Sequence, residues 1–246
     1  MSASAASRLQ LVNEKGWRRG LGNLLRGEYS SWFKSSRWWK HILMWFVLFM
    51  YGSFGGMFVA IGVMIIMQRV LVKEKQSGTA AWALSKPVTR AAFVVSRLVV
   101  NSIAILITSV IVPGIVFYLT LGFFSEIGWL SPIGFAAALL MVALHTFYWI
   151  AFVLMMGALL ESTGSVIGVS MTLFFTFWYG PALIPDLIYI SPLLLIFSPA
   201  PDQFNSLPGS FMTGEPVFSW WPLISTVISC IAFIAVAIRR FNRQEF

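Results

Sequence analysis

Residues 98–121 read LVVNSIAILITSVIVPGIVFYLTL, 24 positions without an aspartate, glutamate, lysine or arginine. An α-helix rises 1.5 Å per residue, so about 20 such residues cross the roughly 30 Å hydrocarbon layer of a bilayer. Arg97 stands just before this run, and the next basic residue is Arg239, 141 residues of lysine- and arginine-free chain later. All 17 basic residues lie elsewhere: eight in 1–40, six from Arg69 to Arg97 and three in 239–243. Lysine and arginine accumulate in loops that stay on the cytoplasmic side of a membrane. The opposite loops carry Glu126, Asp186, Asp202 and Glu215 and no basic residue. This asymmetry predicts a multi-pass protein of the cell membrane with both termini and the 73–90 segment cytoplasmic, and 122–131 and 186–218 outside.

Composition agrees. Apolar residues make up 58% of the chain, charged residues 11%, and mean hydropathy is +0.82, whereas a soluble domain is about 25% charged. The net charge of +8 sits beside apolar spans, where it can face lipid headgroups or a cytoplasmic partner, so nucleic acid is not expected. Cys230 is the single cysteine, which excludes a disulfide framework and a cysteine-based metal site. His41 and His145 are far apart in sequence with no nearby cysteine or carboxylate, a poor metal site; His145 reads as a hydrogen-bonded helix residue. The first 40 residues are basic without an apolar core and do not read as a cleavable signal peptide.

The whole chain, 1–246, reads as one transmembrane domain. Segment 14–36 is an interfacial helix in which Trp17, Leu21, Leu24, Leu25, Tyr29, Trp32 and Phe33 recur at three- and four-residue spacing, an apolar stripe suited to lying along a membrane surface. Spans are expected at 94–121, kinked at Pro113-Gly114, and at 133–160, 164–184 and 220–238, with Trp129, Trp178, Trp220 and Trp221 as an outer aromatic belt. Segment 38–72 is compressed. Its apolar part, 42–72, would be about 46 Å long as one helix, too long for one span and too short for two ordinary ones. Because both flanks are basic, the number of crossings there must be even, which predicts two short spans turning near the glycines at 52–56. The total is six spans, with five as the fallback. Gly52/Gly56 and Gly164/Gly168 have the spacing that permits close helix approach. Eight of the 11 prolines lie between Pro181 and Pro222, so 186–218 is expected to form an outer re-entrant or interfacial segment shielded by protein.

The connector from Lys73 to Arg90 reads KEKQSGTAAWALSKPVTR. Gly78-Thr79 can break one helix and cap the next, and Pro87 excludes helix at Lys86. A short helix over 79–85 is expected, exposing Trp82 and Leu84 as apolar anchors for a partner. Glu74, Gly78, Thr79, Leu84, Pro87, Val88, Thr89 and Arg90 match the pattern of the connector between the second and third spans of ABC-2 type transporter permeases, which the chain resembles in overall layout as well.

The resemblance implies an all-α polytopic membrane protein of ABC-2, type V exporter-like architecture: an N-terminal interfacial amphipathic helix plus six transmembrane helices. It implies no catalysis in this chain, a separate cytoplasmic ABC ATPase subunit in two copies that binds ATP and magnesium, and a second permease chain forming a homodimer. No phosphate loop G-x-x-x-x-G-K-[ST] occurs in this chain. ATPase coupling is thereby placed on Glu74, Gly78, Thr79, Trp82, Leu84, Lys86, Pro87 and Arg90, with Glu161 as a second contact or as a cap on Ser165. Glu74 is expected to pair with Arg90 or Arg26. The path, lined by the first, second and fifth spans, would suit a hydrophobic or amphipathic substrate. An ion-coupled secondary transporter would call for ionisable residues at mid-membrane and an inverted repeat, neither of which is evident. A non-transporting scaffold for a cytoplasmic ATPase is the other alternative.

Overall fold

The computed structural model describes residues 14–51, 55–124, 126, 128–197 and 206–244, which form helices and turns with no strand among them. After a 3-10 turn at Gly16–Arg18, helix α1 runs Leu21–Phe33. The Glu14 carboxylate accepts the amides of Gly20 and Gly22, both at 2.8 Å, satisfying donors that a helix start leaves open. Gly20 has φ +82°, and a Cβ there would lie 2.6 Å from Val88 Cγ2, so two constraints demand glycine. The α1 stripe divides in two. Trp32 is buried and donates from Nε1 to Asn101 Oδ1 at 3.0 Å, and Leu24, Leu25 and Phe33 join the core. Trp17 and Tyr29 remain exposed. Part of the face expected to meet lipid is thus spent on the protein itself.

Helices α2 (Arg37–Tyr51) and α3 (Gly55–Met67) have 15 and 13 residues; of the turn expected near 52–56, residues 52–54 fall outside the described residues, while Gly55 and Gly56 already belong to α3. They meet where the buried Trp45 ring covers Gly62; a Cβ on Gly62 would stand 2.2 Å from Trp45 Cη2. Gly62, which no motif singled out, makes the close approach, while Gly164 and Gly168 face open space. Among the described residues, three helices are long and apolar enough to cross a membrane: Arg90–Phe124, Pro132–Leu159 and Trp221–Asn242. The count of six spans continues to rest on charge parity.

After α4 (Val72–Gln76) and α5 (Thr79–Leu84), the 35 residues of Arg90–Phe124 form α6 (Arg90–Leu106), a π-helical turn (Ile107–Ile111) and α7 (Val112–Phe124). The π turn lies just before Pro113, a residue that cannot donate a backbone bond to the preceding turn. Thr108 and Ser109 hydroxyls donate to the carbonyls of Ala104 and Ile105. Helix α8 (Pro132–Leu159) is the central post, buried along much of its length from His145 to Ala158 and packed against α3, α10 and α11. Helix α9 (Thr163–Tyr179) follows after a sharp return.

The proline-rich segment makes 3-10 turns at Gly180–Ala182, Pro185–Tyr189 and Pro192–Leu195. The last of these is buried. Trp149 donates from Nε1 to His145 Nε2 at 3.2 Å, so the Nδ1 proton of His145 is the one that meets the Pro192 carbonyl at 2.9 Å. His145 lies 13 residues into α8, about 20 Å from its Pro132 end. Helix α10 (Leu207–Thr213) is back at that end, its Phe211 carbonyl 2.2 Å from where a Gly134 Cβ would be. The chain thus meets the middle of α8 at Pro192 and its Pro132 end at α10, and the Pro192–Leu195 turn is shielded by protein, as irregular chain inside a bilayer would require. Helix α11 (Trp221–Asn242) completes the bundle. Trp129, Trp220 and Trp221 are exposed; Trp178 instead packs edge-on against Phe197 at 5.3 Å.

Candidate coupling site

The connector is two short helices hinged at Gly78, whose φ of +71° takes the left-handed region that glycine enters without cost. Thr79 does not cap α5 as expected; its hydroxyl lies 2.7 Å from Ser77 Oγ. The cap that does form is one helix later, where Thr89 Oγ1 accepts the Ala92 amide at 3.1 Å. Helix α5 ends at Leu84, before Pro87. Trp82 is 63% exposed, with the Lys86 ammonium 3.5 Å from its ring centre, a cation–π contact that holds the indole outward. Leu84 differs from expectation. It is half-buried against the core with Ala83, because α5 is too short to expose both residues and still seat on the bundle.

Glu74 pairs with neither Arg90 nor Arg26. The Arg97 guanidinium, its side chain 9% exposed, joins Glu74 of α4 to Glu28 of α1, whose side chains are 21% and 19% exposed, and it also stands 5.0 Å from the Phe93 ring. Burial pushes the Glu74 carboxyl up to about 7, while the adjoining guanidinium favours the ionised form. Arg97 was legible in one respect: it lies seven residues beyond Arg90, already inside an apolar run, where a charge needs a partner. Arg90 donates from Nη1 to the Asn242 carbonyl at 2.7 Å, fastening the connector's exit to the end of α11.

Further bonds spread from the same segment. The Thr89 amide donates to the Arg19 carbonyl at 3.1 Å, and its hydroxyl to the Trp17 carbonyl. Lys75 Nζ donates to the Leu160 carbonyl at 2.7 Å and Gln76 Nε2 to the Glu161 carbonyl at 2.8 Å. Burial lowers the Lys75 pKa, with Glu161 opposing the shift and Arg240 adding to it. Glu161 does not cap Ser165: Ser162 Oγ accepts that amide at 3.0 Å. Glu161 instead borders an open cleft of about 720 Å³ with Lys75, Gln76, Ala81, Arg240 and Arg243. Thus Glu74, Gly78, Lys86, Pro87, Arg90 and Glu161 gather at one end of the bundle, and Trp82 projects from it.

A helical membrane-embedded subunit with a charged connector clamped to several helices is the form of a transporter permease. The family model described as ABC-2 family transporter protein matches residues 4–246, and the chain belongs to that family. It is a transmembrane permease of the ABC transporter class, a type of subunit that generally performs no catalysis itself. None of the curated proteins matches it.

Proposed function

We propose that this chain is the membrane subunit of an ABC exporter, moving a hydrophobic or amphipathic substrate with ATP and magnesium bound by a separate cytoplasmic ATPase. The observation that carries the reading is the connector's set of bonds. Glu74 reaches α1 and α6 through Arg97, Lys75 and Gln76 reach the α8–α9 return, and Arg90 reaches α11. A partner that moves Trp82 therefore moves four parts of the bundle together, provided its two nucleotide states contact the connector differently. Two copies of the ATPase would serve two copies of this chain. Helix α9 supports such pairing, since Gly168, Val169, Thr172, Phe175, Thr176 and Tyr179 form a face uncovered in one chain, suited to line a path with α2 and α3. In the cell membrane, with both termini cytoplasmic, the connector and Glu161 would face the ATPase.

Reconstitution in liposomes with its ATPase tests this. ATP-dependent accumulation of an amphipathic dye, abolished by vanadate, is the expected result. Uptake driven by a proton gradient without ATPase, or ATPase recruitment without transport, would overturn it.

A further inference from the structure

A second cleft, of about 420 Å³, opens between α1, α2, the end of α3 and α6. Its lining includes Trp32, Arg37, His41, Arg69, Lys73 and Arg97. Arg37, Arg69 and Lys73 are exposed and form no ion pair among the described residues. Deeper in, Arg97 is 8% exposed and its Nε has no acceptor, and buried His41 Nδ1 has no partner either. Four cations thus face two carboxylates, Glu28 and Glu74, both already held by Arg97. Glu74 Oε2 is an open acceptor in the same cleft, but four cations against two carboxylates leave the cleft net positive, with the Arg97 Nε donor free for one more anion.

Its surroundings indicate which anion. Arg37 and His41 occupy the first turns of α2, and Arg69 and Lys73 follow the last turn of α3, the level at which both helices would enter the bilayer. Ile66 and Val70 line the same cleft. Met44, three residues after His41, and Ile65, four before Arg69, are exposed on the corresponding helix faces. A ligand seated here would put a phosphate against the cations and apolar chains along α2 and α3. We infer that this cleft binds the phosphate headgroup of an anionic phospholipid from the leaflet facing the connector. The inference rests on the proposed membrane placement but not on the ATPase partnership, and its test involves no ATPase.

The full-length protein is purified in micelles containing equal amounts of palmitoyl-oleoyl phosphatidylglycerol and phosphatidylcholine, and retained lipid is counted by native mass spectrometry. Wild type is expected to keep phosphatidylglycerol selectively. The combined variant Arg37→Ala, Arg69→Ala, Lys73→Ala should lose that selectivity by roughly tenfold, since cations at an anionic lipid surface act together. All three side chains are exposed, so an unchanged gel-filtration profile is expected. The comparison variant Arg26→Ala, Lys34→Ala removes two exposed cations of and beside α1 that do not line the cleft, and should retain wild-type selectivity. Equal loss in the comparison variant, or none in the cleft variant, would overturn the assignment. Competition by millimolar inorganic phosphate would also overturn it, marking a site for soluble anions.

Discussion

At the connector end, irregular backbone is held by charge. Arg97 joins Glu28 and Glu74, Lys75 and Gln76 reach carbonyls beyond α8, and Arg90 holds the end of α11. At the proline-rich end, the turn at Pro192–Leu195 is held by burial and by the bond between His145 and the Pro192 carbonyl. A side-chain contact to a backbone carbonyl can be broken and remade at modest net cost when water is near. The turn at Pro192–Leu195 is buried, where an unpaired carbonyl costs more to leave open. On the proposed function, the connector is the end suited to shift as a unit, and the proline-rich segment the end suited to stay.

The contrast is broken most severely by Arg97→Met. Two mostly buried carboxylates would lose their shared partner, a loss of roughly 3 kcal/mol by comparison with other broken buried pairs. Thermal unfolding in detergent should register it, and an unchanged midpoint would mean that the triad adds little. Next is His145→Phe, which strands the Trp149 donor and the Pro192 carbonyl and should cost about 1–3 kcal/mol. Hydrogen exchange should accelerate in 190–197 while 73–90 stays as in wild type; acceleration in both would deny that the ends are independent. Gly62→Ala, driving a methyl into the Trp45 ring, should cost about 1–3 kcal/mol, visible as a shift in tryptophan fluorescence. The smallest stability effect is expected for Trp82→Asp, within about 0.5 kcal/mol because the residue is exposed. Association with the ATPase, followed by co-purification, should nevertheless fall. Trp82 is changed alone because Leu84 belongs partly to the core.

How much of this could be read from the chain divides along the same line. The lysine and arginine gap announced a helical membrane protein, and the residues from Glu74 to Arg90 pointed to the ABC-2 family and to the segment where the charged bonds converge. Local chemistry sufficed for Gly78 and Pro87, whose effects act within one turn. What was missed is non-local. Arg97 meets Glu28 across 69 residues, His145 meets Pro192 across 47 and Gly62 meets Trp45 through tertiary packing, and no periodicity encodes such choices. Thr79 was misjudged because Gly78 takes the N-cap position and Thr79 is already the first helical residue, and Leu84 because a six-residue helix has little surface to divide between partner and core.

On the proposed function, motion at the connector reaches the spans through Glu74. Glu74→Gln preserves shape and a hydrogen-bonding group but removes the charge that Arg97 holds. Transport and ATP hydrolysis measured on one reconstituted sample should show an assembled complex that hydrolyses ATP while transport per ATP falls roughly tenfold, the scale of a coupling free energy of about 1–3 kcal/mol. A ratio equal to that of wild type would contradict the account and leave Glu74 a structural residue.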